Sequence, residues 1–260
     1  MIDPSIIQTG IQTKPLRVLI YGVPGCGKST WAAAANNSLK TIFIPTEDGC
    51  DELDVAKFPK AKTWAEVLDY LAYLYEAEHD YKVVVLDSIT ATEQLIRNIV
   101  AKEYAAEENE PEITFEKIPW GKGYKRAAEK VQTLMNACDA LRNKGMQTIL
   151  IGHSGIKPFH DICSADQWDQ YKLSCHEQIA SPIIAWADCV FFVNYDRTAA
   201  SVGEGFKKRT IGRDAGRRIM FTECRATHEA KCRVSRLELK EKEELNGRAF
   251  WERVCQKMNF

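Results

Sequence analysis

The chain has 260 residues, nine cysteines and a formal net charge of -1. That length suits a single α/β domain with room for a small appendage, and the near-neutral charge excludes a global positive field for nucleic acid. Scattered cysteines in odd number argue against a disulfide scaffold. No apolar run is long enough to span a membrane, and Met1 to Thr13 lacks the blocks of a signal peptide, so a soluble, cytoplasmic protein is expected.

Residues 1–16 read as an N-terminal arm, either packing on a neighbour or loose, and residues 17–260 as the domain proper. Arg17 to Tyr21 reads as a buried strand, and Lys28 to Asn36 as the helix after it. Between them, Gly22-Val23-Pro24-Gly25-Cys26-Gly27-Lys28-Ser29-Thr30 fits the G-x-x-x-x-G-K-[ST] phosphate-loop pattern in the strand–loop–helix setting that it requires. Glycines let the backbone close around phosphate, and loop amides with the helix N-terminus face the anion. The pattern implies ATP or GTP, with Lys28 reaching the β and γ phosphates and Ser29 holding Mg²⁺. Thr30 is assigned to the helix start or the base side of the nucleotide.

Thr41 to Pro45 is a second strand, ending in Thr46-Glu47-Asp48-Gly49. A carboxylate past a strand end in such a sheet lies near the ligand crevice. Glu47 is the candidate to orient or deprotonate the attacking water, Asp48 is its rival, and an acidic turn is the plainer alternative. Thr63 and Glu66 form a capping box opening a helix from Trp64 to Ala77. Lys82 to Ser88 carries a run of β-branched residues suited to a central parallel strand. Asp87 at its end is assigned to Mg²⁺, directly or through water, with Ser88 in support, and His79 is read as a turn residue.

Ile89 to Tyr104 reads as a helix and Ala105 to Pro119 as an exposed acidic loop. The stretch Phe115 to Tyr124 mixes aromatics, lysines and glycines, which suits base stacking and phosphate contact or a loop pinned by Trp120 and Tyr124. Lys117, Trp120 and Lys122 are its candidate DNA residues. After a helix from Lys125 to Asn143, the strand Gln147 to Gly152 ends at His153-Ser154. His153 is the first candidate to sense the γ phosphate, Ser154 the second, and a structural histidine the alternative.

Gly155 to Ser174 is long for a connection between strand and helix, and supplies Lys157, Phe159 and His160 as further DNA candidates. His160-x-x-Cys163 with Cys175-His176 is too loose to outrank a plain loop as a metal site. Ser174 to Trp186 reads as a helix interrupted by Pro182, and Ala187 to Tyr195 as a strand. Arg217 to Thr222 and Ser235 to Leu239 read as edge strands, Glu238 to Glu244 as a charged hairpin, and Asn246 to Lys257 as a closing segment. The basic cluster Lys207-Lys208-Arg209, Arg213, Arg217, Arg218 has three readings: a phosphate-backbone grip, a finger into a neighbour's ATP site, or a solvated hairpin. The order of elements predicts a mostly parallel sheet flanked by helices, extended by antiparallel C-terminal strands.

The chain resembles the phage-type AAA-family ATPases of the RecA-like fold, related to a phage single-strand-annealing recombinase group. The resemblance rests on Gly22 to Thr30, Thr46-Glu47-Asp48-Gly49, His79-Asp80-Tyr81-Lys82 leading into Asp87-Ser88, Gly121-Lys122-Gly123-Tyr124, Gly152-His153-Ser154 and Ala185-Trp186-Ala187-Asp188. It implies a RecA-like P-loop ATPase core in which Glu47 activates water, Asp87 is the Walker B acid, and His153 stands where RecA carries glutamine. It implies DNA-touching loops near Thr114 to Gly123 and Gly155 to Ser174, and a lysine-x-arginine finger at Lys207-Lys208-Arg209 acting across subunits. ATP and Mg²⁺ follow as cofactors, with single-stranded DNA, a homo-oligomer (ring or filament) and a single-strand-binding protein as partners, in the cytoplasm of a bacterial host. A helicase loader, a nucleotide-dependent scaffold and a small-molecule kinase are the rival readings.

Overall fold

The computed structural model describes residues 3, 6, 7, 9–111, 113–161, 166–202 and 209–258, with the backbone alone for 198–202 and 209–215. The first half alternates strand and helix: β1 (Arg17–Gly22), α1 (Lys28–Ala33), β2 (Thr41–Pro45), β3 (Ala56–Lys57), α2 (Trp64–Glu76), β4 (Val83–Asp87), α3 (Ile89–Glu108), α4 (Lys122–Asn143) and β5 (Gln147–His160). Then come β6 (Gln167–Leu173), α5 (Glu177–Trp186), β7 (Cys189–Val202), β8 (Arg209–Phe221), β9 (Lys231–Cys232), β10 (Lys242–Glu244) and α6 (Gly247–Met258).

The strand order is β10-β8-β7-β1-β5-β4-β2-β3. From β7 to β3 neighbouring strands are parallel. Strands β8 and β10 extend the sheet antiparallel beyond β7, as the sequence predicts. Alternate residues feed opposite faces. Leu19, Tyr21, Val84, Leu86, Leu150 and Phe192 pack under α2 to α5. Val18, Ile20, Val85, Ile149, Ile151 and Phe191 pack against α1 and α6. With both faces covered, the central strands carry the continuous apolar runs expected of a buried parallel sheet.

Local chemistry fixes the helix ends. The Thr63 hydroxyl accepts from the Glu66 amide, and the Glu66 carboxylate accepts from the Lys62 amide, a capping arrangement that satisfies otherwise orphaned donors. Ser88 caps α3 by accepting from Ala91 N. Helix α6 is held to α1 by Trp251, whose indole donates to Trp31 O at 3.2 Å.

At the end of the sheet where β1 begins, Asp188 accepts from Arg17 and Arg142 at 2.9 Å each, and Asp139 accepts from Arg17 and the Trp186 indole. The Ala185-Trp186-Ala187-Asp188 stretch is therefore a structural clasp for β1, β7 and α4.

Four expectations are corrected. The long connection from Gly155 to Ser174 is a β-hairpin: β5 runs on to His160 and β6 returns, pairing Ser154 with Leu173 and His160 with Gln167. Its polar sequence hides it because this ribbon leaves the core. Ser235 to Leu237 forms a 3-10 turn rather than an edge strand. The charged stretch before residue 245 does not fold on itself, because Lys242–Glu244 pairs with β8. Helix α4 starts at Lys122, taking in residues read as loop. The basic cluster spans a described and an undescribed part: Lys207, Lys208 and the side chains of Arg209 and Arg213 lie outside the described residues, as does Cys163. Among the described residues, no helix is long and apolar enough to cross a membrane and no His/Cys/Asp/Glu cluster could hold a metal by itself.

Candidate nucleotide site

Strands β1, β2, β4 and β5 end at one edge of the sheet, and their terminal residues build the site. The loop from Gly22 to Gly27 turns there through glycines at φ 73° (Gly25) and 91° (Gly27), a region costly for other residues. Gly22 meets a different demand, since a Cβ on it would lie 2.1 Å from the Val193 carbonyl oxygen of β7. Gly27 is the N-cap of α1 and supplies no side-chain cap, whereas Thr63 and Ser88 cap α2 and α3, and the first turn of α1 holds no acid. With no side chain over it, the start of this helix is open to an anion. The Lys28 ammonium lies buried in the loop, donating to Gly22 O at 3.1 Å and Val23 O at 3.0 Å. Val23 is half-buried, Cys26 is buried, and Pro24, Gly25 and Thr30 are exposed on the loop's outer side.

Ser29 donates to Asp87 Oδ2 at 2.6 Å, joining the loop to the end of β4. Burial pushes the Asp87 carboxyl above the usual carboxylate range, an effect opposed by hydrogen bonds from Ser29 and Cys50 and reinforced by Glu47. The Cys50 thiol donates to the same carboxylate at 3.3 Å, and burial with that neighbouring charge pushes its pKa up to about 12, so it stays protonated. Sequence reasoning missed Cys50, which sits in an irregular stretch without a motif. Two hard oxygen donors, Ser29 Oγ and Asp87 Oδ2, fit Mg²⁺ beside a phosphate loop.

Across the crevice, Glu47 meets His153. The imidazole Nε2 lies 2.9 Å and 3.1 Å from the two carboxylate oxygens. This hydrogen bond holds Glu47 below the usual carboxylate range. Asp48, the rival of Glu47, is exposed and pairs with Lys60 at 2.8 Å, whereas Glu47 faces His153. Thr46 braces the region, its hydroxyl donating to Ser88 O and accepting from Ser88 N. His153 is anchored through its amide, which donates to Thr90 Oγ1 at 3.0 Å. His79 is structural, its ring contacting Leu74 O.

A family model for the AAA domain matches residues 14–234. The chain belongs to the AAA domain family. Among curated proteins, none matches the sequence. The AAA domain is an α/β nucleotide-binding fold, and the matched span contains the phosphate loop, Glu47, Asp87 and His153.

The DNA candidates of this AAA domain fall in two groups, one at the start of α4 and one on the β5–β6 hairpin. Lys117, Trp120 and Lys122 are exposed where α4 begins, and Trp120 is 93% exposed at φ 59°. Lys157 donates to Cys175 O at 2.9 Å. Phe159 is half-buried against Trp168 and under Lys172, while His160 is exposed. Of these candidates Lys157 lines a cleft of about 370 Å³, together with Thr90, Glu93, Arg97 and His176. His176 stacks on Tyr124 at 3.7 Å, and Arg97 lies over Phe115 and Tyr124. Arg97 and His176 were not legible as members of this layer, because helix and loop positions distant in the chain compose it.

Proposed function

We propose that this AAA domain hydrolyses ATP with Mg²⁺ and couples that hydrolysis to single-stranded DNA, in phage recombination or strand annealing. The reading has it work as a homo-oligomer with ATP at subunit interfaces, alongside a single-strand-binding protein, in the bacterial host cytoplasm. The observation that carries it is the Glu47–His153 contact. It pairs a carboxylate suited to water activation with a residue on β5, and the same strand continues into the hairpin beside the cleft.

In this reading Lys28 and the loop amides bind the triphosphate. Ser29 and Asp87 would hold Mg²⁺, which when bound neutralises charge on phosphoryl oxygens. Glu47, ionised because His153 stabilises its charge, orients the attacking water and accepts its proton. His153 holds that carboxylate in place. Trp120 with Lys117 and Lys122, and Lys157, Phe159 and His160 on the β5–β6 hairpin, supply stacking and phosphate contacts to the strand. Lys207 and Arg209 are assigned to the neighbouring subunit's ATP.

The test measures ATP turnover with and without a single-stranded oligonucleotide, and oligonucleotide affinity by fluorescence anisotropy. The expected result is DNA-stimulated turnover that Glu47→Gln abolishes. Trp120→Ala should weaken oligonucleotide binding about tenfold, the cost of one lost base stack, with an unchanged melting temperature. Turnover indifferent to DNA would sink the DNA coupling and favour a loader or a scaffold.

A further inference from the structure

Two consecutive arginines on β8 meet different fates. Arg217 pairs with Asp196 at 2.8 Å. Arg218, whose side chain leaves the strand on the other face, turns to the phosphate loop: a Cβ placed on Gly27 would lie 2.8 Å from its Nη1. No carboxylate among the described residues forms an ion pair with Arg218. It stands instead near Cys26, beside the positive Lys28, and both cations act on that thiol. Its register partner on β7 is Tyr195. The Tyr195 hydroxyl donates to Gly25 O at 3.3 Å, so the pair touches the loop at both of its positive-φ glycines.

Setting an arginine without a carboxylate partner beside a buried lysine is unfavourable until an anion arrives. A guanidinium suits phosphate, which it can grip with two parallel hydrogen bonds. We propose that Arg218 is a nucleotide-phosphate ligand acting in cis, delivered by β8 to the chain's own phosphate loop, with Tyr195 as the positioning residue that holds the loop beneath it. The proposal rests on the reading of this loop as a nucleotide site. It separates Arg218 from Lys207 and Arg209, assigned above to a neighbouring subunit.

Calorimetric titration of the full chain with Mg-ATP and Mg-ADP tests it. Arg218→Ala should weaken both nucleotides about tenfold or more, the usual worth of a charged hydrogen bond. Arg218→Lys should recover part of the loss. Arg217→Ala, which removes the same charge from the other face, should stay within about twofold, so that general electrostatics is excluded. Tyr195→Phe should show a smaller loss in the same direction. Wild-type affinity in Arg218→Ala, with a native melting profile, overturns the proposal. Mixing Arg218→Ala with Lys28→Ala chains tests the cis assignment. Lys28→Ala chains bring an intact Arg218 but no working site, so restored affinity would mean action in trans and overturn it. Failure of the wild type to bind ATP is a separate outcome and removes the nucleotide reading itself.

Discussion

Strand β1 divides the nucleotide edge into two unlike flanks. On the side of β5, β4 and β2, the functional groups are acids and an imidazole, half-buried or buried, and each is tied to a partner: Asp87 to Ser29 and Cys50, Glu47 to His153, Thr46 to Ser88. On the side of β7 and β8 the groups are the half-buried Tyr195 and the exposed Arg218, set side by side by antiparallel register, with the positive charge on Arg218. The first flank has the chemistry to manage water and a metal ion. The second has the chemistry to attract and hold an anion. Their difference in burial teaches why they respond differently to mutation: a networked buried group changes pKa and stability when altered, and an exposed cation changes affinity and salt dependence.

The sharpest way to separate the flanks is Glu47→Gln against Arg218→Ala. Glu47→Gln should lower ATP turnover by about 10² to 10⁴, the usual worth of a positioned base, while calorimetry shows ATP still bound. Arg218→Ala should act on binding first, by about tenfold. Equal losses of binding in both would dissolve the distinction.

His153→Ala removes the hydrogen bond that lowers the Glu47 pKa. The Glu47 carboxyl should then titrate at higher pH, nearer its ordinary value, as read by carboxyl carbon NMR, and the acid limb of turnover should move up with it. A depressed carboxylate pKa contributes stability that is present above the ordinary value and lost as pH falls through the lowered one. Wild type and variant should therefore differ in urea midpoint at neutral pH and converge in acid. A Glu47 titration unmoved by the substitution would contradict the contact.

The smallest effect expected is on stability at Asp87. Burial raises its pKa, so its charge opposes folding at neutral pH. Asp87→Asn keeps an acceptor for Ser29 and Cys50 without that charge. The nucleotide-free protein should gain slightly in urea midpoint at pH 7 and lose that gain as pH falls through the raised Asp87 pKa, while Mg-dependent turnover collapses. A lowered midpoint would show that the charge, not its burial, dominates there.

Much of the first flank was legible in the sequence because its signals are local. The span from Gly22 to Thr30 is contiguous, and Asp87 ends a run of valines whose lack of alternation marks a buried strand. Glu47 and Asp48 are neighbours, and only the direction of the chain after β2 separates them. The second flank was hidden because register creates it: Tyr195 and Gly25 are 170 positions apart, and nothing in either segment names the other. Arg218 appeared only as one charge in a basic cluster. The hairpin of β5 and β6 was hidden for another reason. Its apolar residues are divided between two strands, with Ile156 exposed at one position and Leu173 buried at another, so no single run alternates and the segment looks like loop.

Gly22 shows how far one hydrogen atom can matter. It stands at the seam where β1 meets β7, with backbone rather than a yielding side chain in the way of any larger residue. A methyl group there would work as a wedge. It would drive β7 from β1, and β8 is hydrogen-bonded to β7, so Tyr195 and Arg218 would lift from the loop as one flap. The first glycine of the motif is in this sense a hinge pin for the cationic flank, and its smallness sets the spacing on which the whole nucleotide edge is drawn.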